Sequence, residues 1–327
     1  MIPFKYPLMH DRQGPLLVIS PVRWDEACFS VPSVSALIAA GLDPLVLCAE
    51  EMREFWQSIP GLEVMTHEPK AKAKSITADL FAKNFHSALM WEDSAAADAT
   101  RLAKIGNRIG PAIKPLKKIL TQAITIDEAA TDHRVRFYLQ TTMQMGVESY
   151  LPEFFTPLGP PAASRGDQIL LCPDSDFGSN HEWRHDRWLA IARDLIDAGE
   201  KLLLIRTNTG RQLASRMAEA LGDAIECKDI AAAHELFPLF MNHRFFIGTD
   251  GSMPHLASHF GATCIVLFGP NDPQWKRPLG KRHTVLRHHV ECAPCLLAKC
   301  PLDLRCQNEL VTARVAEAIR DAIDATK

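Results

Sequence analysis

The densest group of residues that could do chemistry follows an apolar stretch in the second half of the chain. It consists of Thr249, Asp250, Gly251 and Ser252, with His255 one turn further on. Gly251 permits a tight turn and a close backbone approach, and Ser252 can cap the helix that is predicted to follow. The first amides of a helix attract an anion, most naturally a phosphate. Asp250 could accept hydrogen bonds from sugar hydroxyls, or it could simply cap the turn.

A second polar group follows the apolar run Gln168–Cys172. Ser175 offers a hydroxyl that could bind a phosphate, and His181 carries a positive charge only part of the time near neutral pH. Asp174 and Asp176 form a D-x-D pattern, which can hold a divalent metal ion through oxygen ligands. The alternative for His181 is an ordinary position in a surface loop.

Four cysteines near the end of the chain are closely spaced. Cys292, Cys295, Cys300 and Cys306 are separated by two, four and five residues. Thiolates at such spacing could hold zinc or iron as a structural metal. Packed thiols or a conditional disulfide are the alternatives. The other five cysteines lie in apolar surroundings and are predicted to be core residues.

The elements that must position these residues follow from periodicity. Short apolar runs alternate with helical stretches, which is typical of βαβ units and a parallel sheet. Residues 92–150 are the exception and are predicted to be mostly helical. A break rich in proline and glycine at residues 152–161 predicts an α/β protein with domains over 1–155 and 156–327. Ligands of such sheets bind outside the carboxyl ends of the strands, so we expect both domains to face a central cleft.

Composition excludes several other classes of protein. The 327 residues include 36 basic and 39 acidic side chains, and the formal net charge of -3 argues against nucleic acid as a partner. No apolar run approaches the roughly 20 residues of a membrane span. Residues 1–14 show no signal peptide, and an odd number of cysteines argues against a secreted disulfide scaffold. We therefore expect a cytoplasmic protein.

The pattern from Asp250 onward resembles the signature of the heptosyltransferases, glycosyltransferase family 9. The matching residues are Asp250, Gly251, His255, Leu256, Ala257, Gly261, Phe268, Gly269, Pro270, Trp275 and Pro278, followed by the four cysteines. The resemblance implies a GT-B type fold with two Rossmann-like parallel-sheet domains. It also implies inverting transfer of a sugar from a nucleotide diphosphate donor, typically ADP-heptose, to a lipopolysaccharide-core acceptor.

The resemblance also assigns roles to the two domains. The N-terminal domain would bind the acceptor, and the C-terminal domain would bind the nucleotide sugar. No cofactor would be required. An anionic glycolipid acceptor would bring the protein into peripheral contact with the inner face of the inner membrane. Lys114, Lys117, Lys118 and Arg108 form a basic patch that could contact such an acceptor, or could be a solvated helix face.

The family's base falls on a pair of acids near the N-terminus. The base is the Asp of a Gly-Asp pair, six residues before a Pro, which corresponds to Glu26 with Asp25 in the Gly position. An inverting transfer needs one carboxylate to take the proton of the acceptor hydroxyl. We therefore expect Glu26 to be the base, with Asp25 as the second choice. The alternative is that both are solvated turn acids or helix caps.

Two donor-side positions also depart from the family pattern. A Lys that faces the diphosphate is replaced by His181, and a Glu near the ribose has Gln212 as its nearest match, with Thr207 and Thr209 as alternatives. The expected donor-binding residues are Ser175, Asp176, His181, Gln212, Thr249, Asp250, Gly251, Ser252 and His255. The departures leave a second interpretation, a sugar-nucleotide-binding relative without transferase activity. Further alternatives are a metal-dependent transferase that uses the D-x-D pattern, and an interaction module stabilised by metal at the four cysteines.

Overall fold

The computed structural model describes residues 14–127, 133–208, 211–297 and 299–325. The chain divides into two compact units, Met1–Thr156 (unit 1) and Pro157–Lys327 (unit 2). Within the described residues, no helix is long and apolar enough to cross a membrane.

Unit 1 is built around a parallel sheet. Its strands are β1 (Leu16–Ile19), β2 (Pro44–Ala49), β3 (Glu63–His67), β4 (Ser87–Leu89), β5 (Asn107–Pro111) and β6 (Gln122–Ile124). They lie in the order β3-β2-β1-β4-β5-β6. Its helices are α1 (Trp24–Ala39), α2 (Arg53–Gln57), α3 (Ala73–Lys83), α4 (Ala95–Leu102) and α5 (Val135–Gln144). Leu17 and Val18 point to opposite faces of β1 and are both fully buried, so the sheet is covered on both sides.

Helix α1 begins earlier than its apolar periodicity indicates. The spacing predicts a helix from about Phe29, whereas α1 starts at Trp24. The start places Asp25 and Glu26 in the first turn of the helix, where the helix dipole favours acidic side chains. Both acids are buried, so the alternative of solvated turn acids is wrong.

The helical prediction for residues 92–150 is correct only in part. Helices α4 and α5 lie there, but β5 and β6 extend the sheet between them, and the basic segment 114–119 forms turns. Strand β6 has only three residues, too few for a period of two to be recognised. In β5, a Cβ at Gly110 would collide with the carbonyl oxygen of Met90, so close strand packing requires this glycine.

Unit 2 repeats the architecture with a second parallel sheet. Its strands are β7 (Gly166–Cys172), β8 (Leu202–Thr207), β9 (Glu226–Ile230), β10 (His243–Thr249), β11 (Thr263–Phe268) and β12 (Thr284–Arg287). Its helices are α6 (His185–Asp197), α7 (Arg211–Leu221), α8 (Leu236–Asn242), α9 (Met253–His259), α10 (Pro273–Lys276), α11 (Arg305–Asn308) and α12 (Thr312–Asp324). The strand order is β12-β11-β10-β7-β8-β9. Trp183 and Trp188 pack edge to face in the core of this unit, 5.4 Å apart.

Both sheets share one strand order. Counted within its own unit, each runs 3-2-1-4-5-6, which is the order of Rossmann domains. The first and fourth strands are neighbours, β1 beside β4 and β7 beside β10. The chain leaves these two strands in opposite directions, which opens a crevice beyond their carboxyl ends. We call this place the switch point of each unit.

Candidate active site

The switch point of unit 2 brings together the two polar groups predicted from the sequence. The loop after β7 and the end of β10 are joined by hydrogen bonds from side chain to backbone. The Ser175 hydroxyl donates to the carbonyl oxygen of Asp250 at 2.6 Å, and the Thr249 hydroxyl donates to the carbonyl oxygen of Asp174 at 3.3 Å. Ser175 and Thr249 are both buried, so their hydroxyls hold the two loops together.

A buried pair of side chains, His181 and Asp250, forms the centre of this site. Nδ1 of His181 lies 2.9 Å from Oδ2 of Asp250, and the Asn271 amide donates to the same oxygen at 2.6 Å. His181 is 6% exposed, so the alternative of a surface loop position is wrong. Because a carboxylate accepts hydrogen bonds and does not donate them, the proton in this bond lies on Nδ1 of His181. Among the described residues, Nε2 of His181 has no hydrogen-bond partner.

Asp250 occupies the predicted position, but its carboxylate faces protein groups. It is fully buried, and its Oδ1 has no hydrogen-bond partner among the described residues. Burial raises the pKa of Asp250, while His181, Asn271 and Lys276 act in the opposite direction. Lys276 is itself 5% exposed, with its Nζ 5.7 Å from the ring centre of Phe177. Sequence reasoning missed Lys276 and Asn271, although both lie close to Trp275 of the family pattern.

The two acids of the D-x-D pattern point to different helices. The carboxylate of Asp174 accepts hydrogen bonds from the amides of Leu213 and Ala214 in α7, at 3.0 and 3.1 Å. Asp176 instead accepts from the amide of Ser252, at 2.8 Å. Burial raises the pKa of Asp174 to about 6, against the effect of the two amides. The two carboxylates therefore do not form a metal site, and the metal-dependent alternative has no support.

The start of α9 differs from the open anion cradle that the sequence predicts. The side chain of Ser252 makes no capping hydrogen bond, and its amide is engaged by Asp176. Gly251 is required for space rather than for an unusual backbone angle. A Cβ there would lie 2.7 Å from Oδ1 of Asp176 and 3.2 Å from the hydroxyl of Ser175. The carboxylate of Asp176 thus lies where the sequence predicts a phosphate.

The remaining donor-side candidates are more dispersed. His255 is buried within α9. Gln212 is exposed in the first turn of α7, and its carbonyl oxygen accepts a hydrogen bond from Arg216. Thr207 ends β8, and Thr209 lies outside the described residues. Neither Gln212 nor Thr207 has a hydrogen bond to the His181–Asp250 pair among the described contacts.

The switch point of unit 1 holds Glu26. One carboxylate oxygen, Oε2, accepts hydrogen bonds from Nε of Arg134 at 2.7 Å and from the hydroxyl of Tyr138 at 2.5 Å. The guanidinium of Arg134 also stacks 4.1 Å from the ring centre of Phe137. Burial raises the pKa of Tyr138 well above its ordinary value, and the charge of Glu26 adds to this effect. The hydroxyl therefore stays protonated and donates to Glu26.

Asp25 and Glu92 complete the acidic cluster of unit 1. Asp25 is fully buried and accepts both hydrogen bonds of an Arg23 fork, each at 3.0 Å. Glu92 follows β4, and one of its oxygens accepts from the amide of Val22 at 2.6 Å. Sequence reasoning missed Glu92 because it placed residue 92 in a helical region. The apolar run Ser87–Trp91 predicts a strand, and the acid directly after it was the available signal.

The cysteines and the basic patch carry no comparable geometry. All nine cysteines are described and none is in a disulfide. No group of three or more His, Cys, Asp or Glu among the described residues is arranged to hold a metal ion. Burial raises the pKa of the Cys306 thiol, and nearby cysteines add to that effect. In the basic patch Lys114, Lys117 and Lys118 are exposed, but Arg108 turns inward and donates to the carbonyl oxygen of Ile119 at 2.6 Å.

The sequence of this chain is similar to those of known glycosyltransferases. The model of glycosyltransferase family 9 (heptosyltransferase) matches residues 83–305. Lipooligosaccharide heptosyltransferase 2 of Haemophilus influenzae is 26% identical over 124 residues, 36% of each chain. Lipopolysaccharide heptosyltransferase 2 of Escherichia coli is 24% identical over 153 residues, 45% of this chain and 42% of the relative. The matches thus span less than half the length of these two relatives.

Structural comparison extends over nearly the whole chain. The E. coli ADP-heptose lps heptosyltransferase II has a TM-score of 0.79 to this chain at 18% identity, covering 96% of this chain and 99% of the other. The two parallel sheets of Rossmann order are therefore those of a GT-B type glycosyltransferase fold. Since the family model matches more than half of the residues, the chain belongs to glycosyltransferase family 9.

Proposed function

We propose that this protein is an inverting glycosyltransferase that moves a heptose from ADP-heptose to a lipopolysaccharide-core or related glycan acceptor. Family membership supports the reaction class, and the names of the similar proteins supply the donor and acceptor. One observation carries the proposal: each unit gathers ionisable side chains at its switch point. Sheets of this order bind their ligands at that point.

Unit 2 is the nucleotide-sugar unit in this proposal, and His181 is the group that faces the diphosphate. Asp250 accepts hydrogen bonds from both His181 and Asn271, and the first of these bonds fixes the Nδ1 proton of His181. The Nε2 atom is then directed to a phosphate oxygen of the donor. Positive charge and N–H groups at the leaving diphosphate stabilise the transition state. Lys276 adds positive charge on the same side of the unit, since it acts on the pKa of Asp250.

Unit 1 is the acceptor unit, with its acidic cluster at the reacting hydroxyl. Glu26 stands at the position of the family's base, and Asp25 is secured by Arg23. The reaction requires no cofactor because the nucleotide sugar carries its own leaving group. The acceptor is an anionic glycolipid, so the protein would work in the cytoplasm in peripheral contact with the inner face of the inner membrane. The exposed Lys114, Lys117 and Lys118 would face its phosphates.

A second candidate function is a sugar-nucleotide-binding relative that does not catalyse transfer. Two observations favour it. His181 stands in place of the family's Lys, and the carboxylate of Asp176 occupies the amide of Ser252 at the start of α9. Both changes reduce the positive potential that a diphosphate would meet.

The test measures donor binding and transfer separately. Titration calorimetry gives the affinity for ADP and ADP-heptose, and mass spectrometry follows transfer to a lipopolysaccharide core that lacks heptose. We expect transfer by the wild type, with binding of ADP weakened about tenfold in His181→Ala, a loss of about 1.4 kcal/mol. His289→Ala, an exposed histidine of the same unit, is the matched control. Binding without transfer would favour the second candidate, and absence of ADP binding would exclude both.

A further inference from the structure

A carboxylate outside the family pattern shares the switch point of unit 1 with Glu26. Strand β4 lies beside β1, so Glu92, three residues after β4, reaches the same sheet edge as the first turn of α1. The amide of Val22, in the loop that leads into α1, donates to Oε1 of Glu92 at 2.6 Å. Val22 lies four residues before Glu26, so this hydrogen bond places the carboxylate of Glu92 near the start of the helix that carries Glu26.

The surroundings of Glu26 are those of a fixed anion. Its Oε2 receives both the guanidinium of Arg134, at 2.7 Å, and the hydroxyl of Tyr138, at 2.5 Å. The side chain is 7% exposed. A proton that bound to Oε2 would have to displace one of these two donors. Arg134 is held in place by its stacking on Phe137. Oε2 of Glu26 is therefore already engaged by two donors.

The surroundings of Glu92 are different. Its Oε1 is fixed by a neutral backbone amide, and its Oε2 has no hydrogen-bond partner among the described residues. The side chain is half-buried rather than enclosed. Burial raises the pKa of Glu92, and the charge of Glu26 raises it further, while the Val22 amide, Arg134 and Arg23 act in the opposite direction. A general base works best when its pKa approaches the working pH.

We propose that Glu92 is the proton acceptor of the transfer and that Glu26 is the fixed anion beside it, an inference that rests on the proposed function. The acceptor hydroxyl gives its proton to Oε2 of Glu92. The acceptor oxygen forms the new bond to the anomeric carbon of the donor. The bond from that carbon to the diphosphate oxygen breaks, and its electron pair leaves with the nucleoside diphosphate. Arg134 and Tyr138 are positioning residues that act through Glu26.

The first test is Glu92→Gln, which removes the charge but keeps an oxygen that can accept from Val22. We expect kcat to fall at least about 100-fold, the lower range for loss of a general base, with the KM for ADP-heptose unchanged. Glu68→Gln is the matched control, because Glu68 is an exposed acid of the same unit. Circular dichroism and ADP-heptose affinity verify folding, and Glu92→Asp, which keeps the charge, should recover part of the rate.

The second test uses Glu26→Gln and the pH profile of kcat. If Glu92 is the base, removing the neighbouring charge lowers the pKa of Glu92. The acid limb of the profile then moves to lower pH, and a measurable rate remains. Loss of all rate in Glu26→Gln together with full activity of Glu92→Gln would overturn the inference and leave the proposed function intact. An inactive wild type that binds ADP-heptose would overturn both.

Discussion

Single residues decide how a diphosphate would be received by unit 2. Asp176 is exposed, yet its carboxylate already accepts the amide of Ser252 at the start of α9. The sequence predicts a phosphate at the first amides of this helix. The carboxylate of Asp176 would therefore compete with a ligand phosphate for the Ser252 amide, and its negative charge would repel the phosphate.

Neutralising Asp176 should strengthen nucleotide binding. Two unit charges about 4 Å apart repel by about 1 kcal/mol in water. Asp176→Asn keeps an oxygen for the Ser252 amide and removes the charge, so we expect the Kd of ADP to fall about fivefold, as 1.4 kcal/mol corresponds to about tenfold. Calorimetry at fixed ionic strength measures it, with the exposed Asp223→Asn as control. An unchanged Kd would mean that the diphosphate does not approach the start of α9.

At the scale of elements, Arg165 fixes the segment that leads into β7. Its guanidinium donates to the carbonyl oxygens of Pro160 at 2.8 Å, Phe240 at 2.9 Å and Phe260 at 3.2 Å. These carbonyls belong to the segment before β7, to α8 and to the end of α9. Gly261 has a φ of +97°, and a Cβ there would collide with the guanidinium of Arg165. Both the backbone angle and the lack of space therefore require glycine at this position.

Removing Arg165 should destabilise unit 2. Hydrogen bonds to charged groups contribute about 1.5–3 kcal/mol each, and buried carbonyls left without a donor add a penalty. We expect Arg165→Met to lower the free energy of unfolding by about 3 kcal/mol, measured by urea denaturation. The free energy of unfolding of Arg165→Lys should lie between those of the wild type and Arg165→Met, because an ammonium cannot reproduce the planar fork of a guanidinium. The exposed Arg193→Met serves as reference, and equal stability of all three variants would contradict this role.

For the whole molecule, two partly buried histidines, His259 and His283, set the response to acid. Nδ1 of His283 accepts from the amide of Cys264 at 3.0 Å, and its Nε2 faces the carbonyl oxygen of Leu279 at 2.9 Å. This arrangement fits only the neutral ring, because a proton on Nδ1 would oppose the amide hydrogen. Burial lowers the pKa of His283 to about 3 and that of His259 to about 4.

Stability should therefore fall as the pH falls below the pKa of an unfolded histidine, about 6.5. The unfolded chain then binds protons that the folded chain cannot, and the loss continues down to the folded pKa. For His283, which is partly exposed, the loss at pH 4.5 should be about 2 kcal/mol. Urea denaturation at several pH values measures it. The free energy of unfolding of His283→Asn should depend less steeply on pH than that of the wild type. His289→Asn, which changes an exposed histidine, should have the same pH dependence as the wild type. Equal slopes in all three proteins would contradict this account.

Much of the architecture could be predicted because its signals are local. The central strands β1, β7, β10 and β11 each contain a continuous apolar run, as expected of strands buried on both faces. Strands β9 and β12 were missed because they carry charged or exposed residues at the ends of the sheet. The prediction of helix over 92–150 failed at β5 and β6 because strands of five and three residues are too short to show a readable period.

The sequence by itself determined the family and the loops that carry the site. The residues after β7 and β10 lie within a few positions of a strand end, so short spacing suffices to recognise them. Only the tertiary structure decided how these groups are used. It sent Asp174 and Asp176 to different helices, and it paired His181 with Asp250 across 69 residues. It also set Glu92 beside Glu26, because strand order, which no local pattern encodes, makes β4 the neighbour of β1.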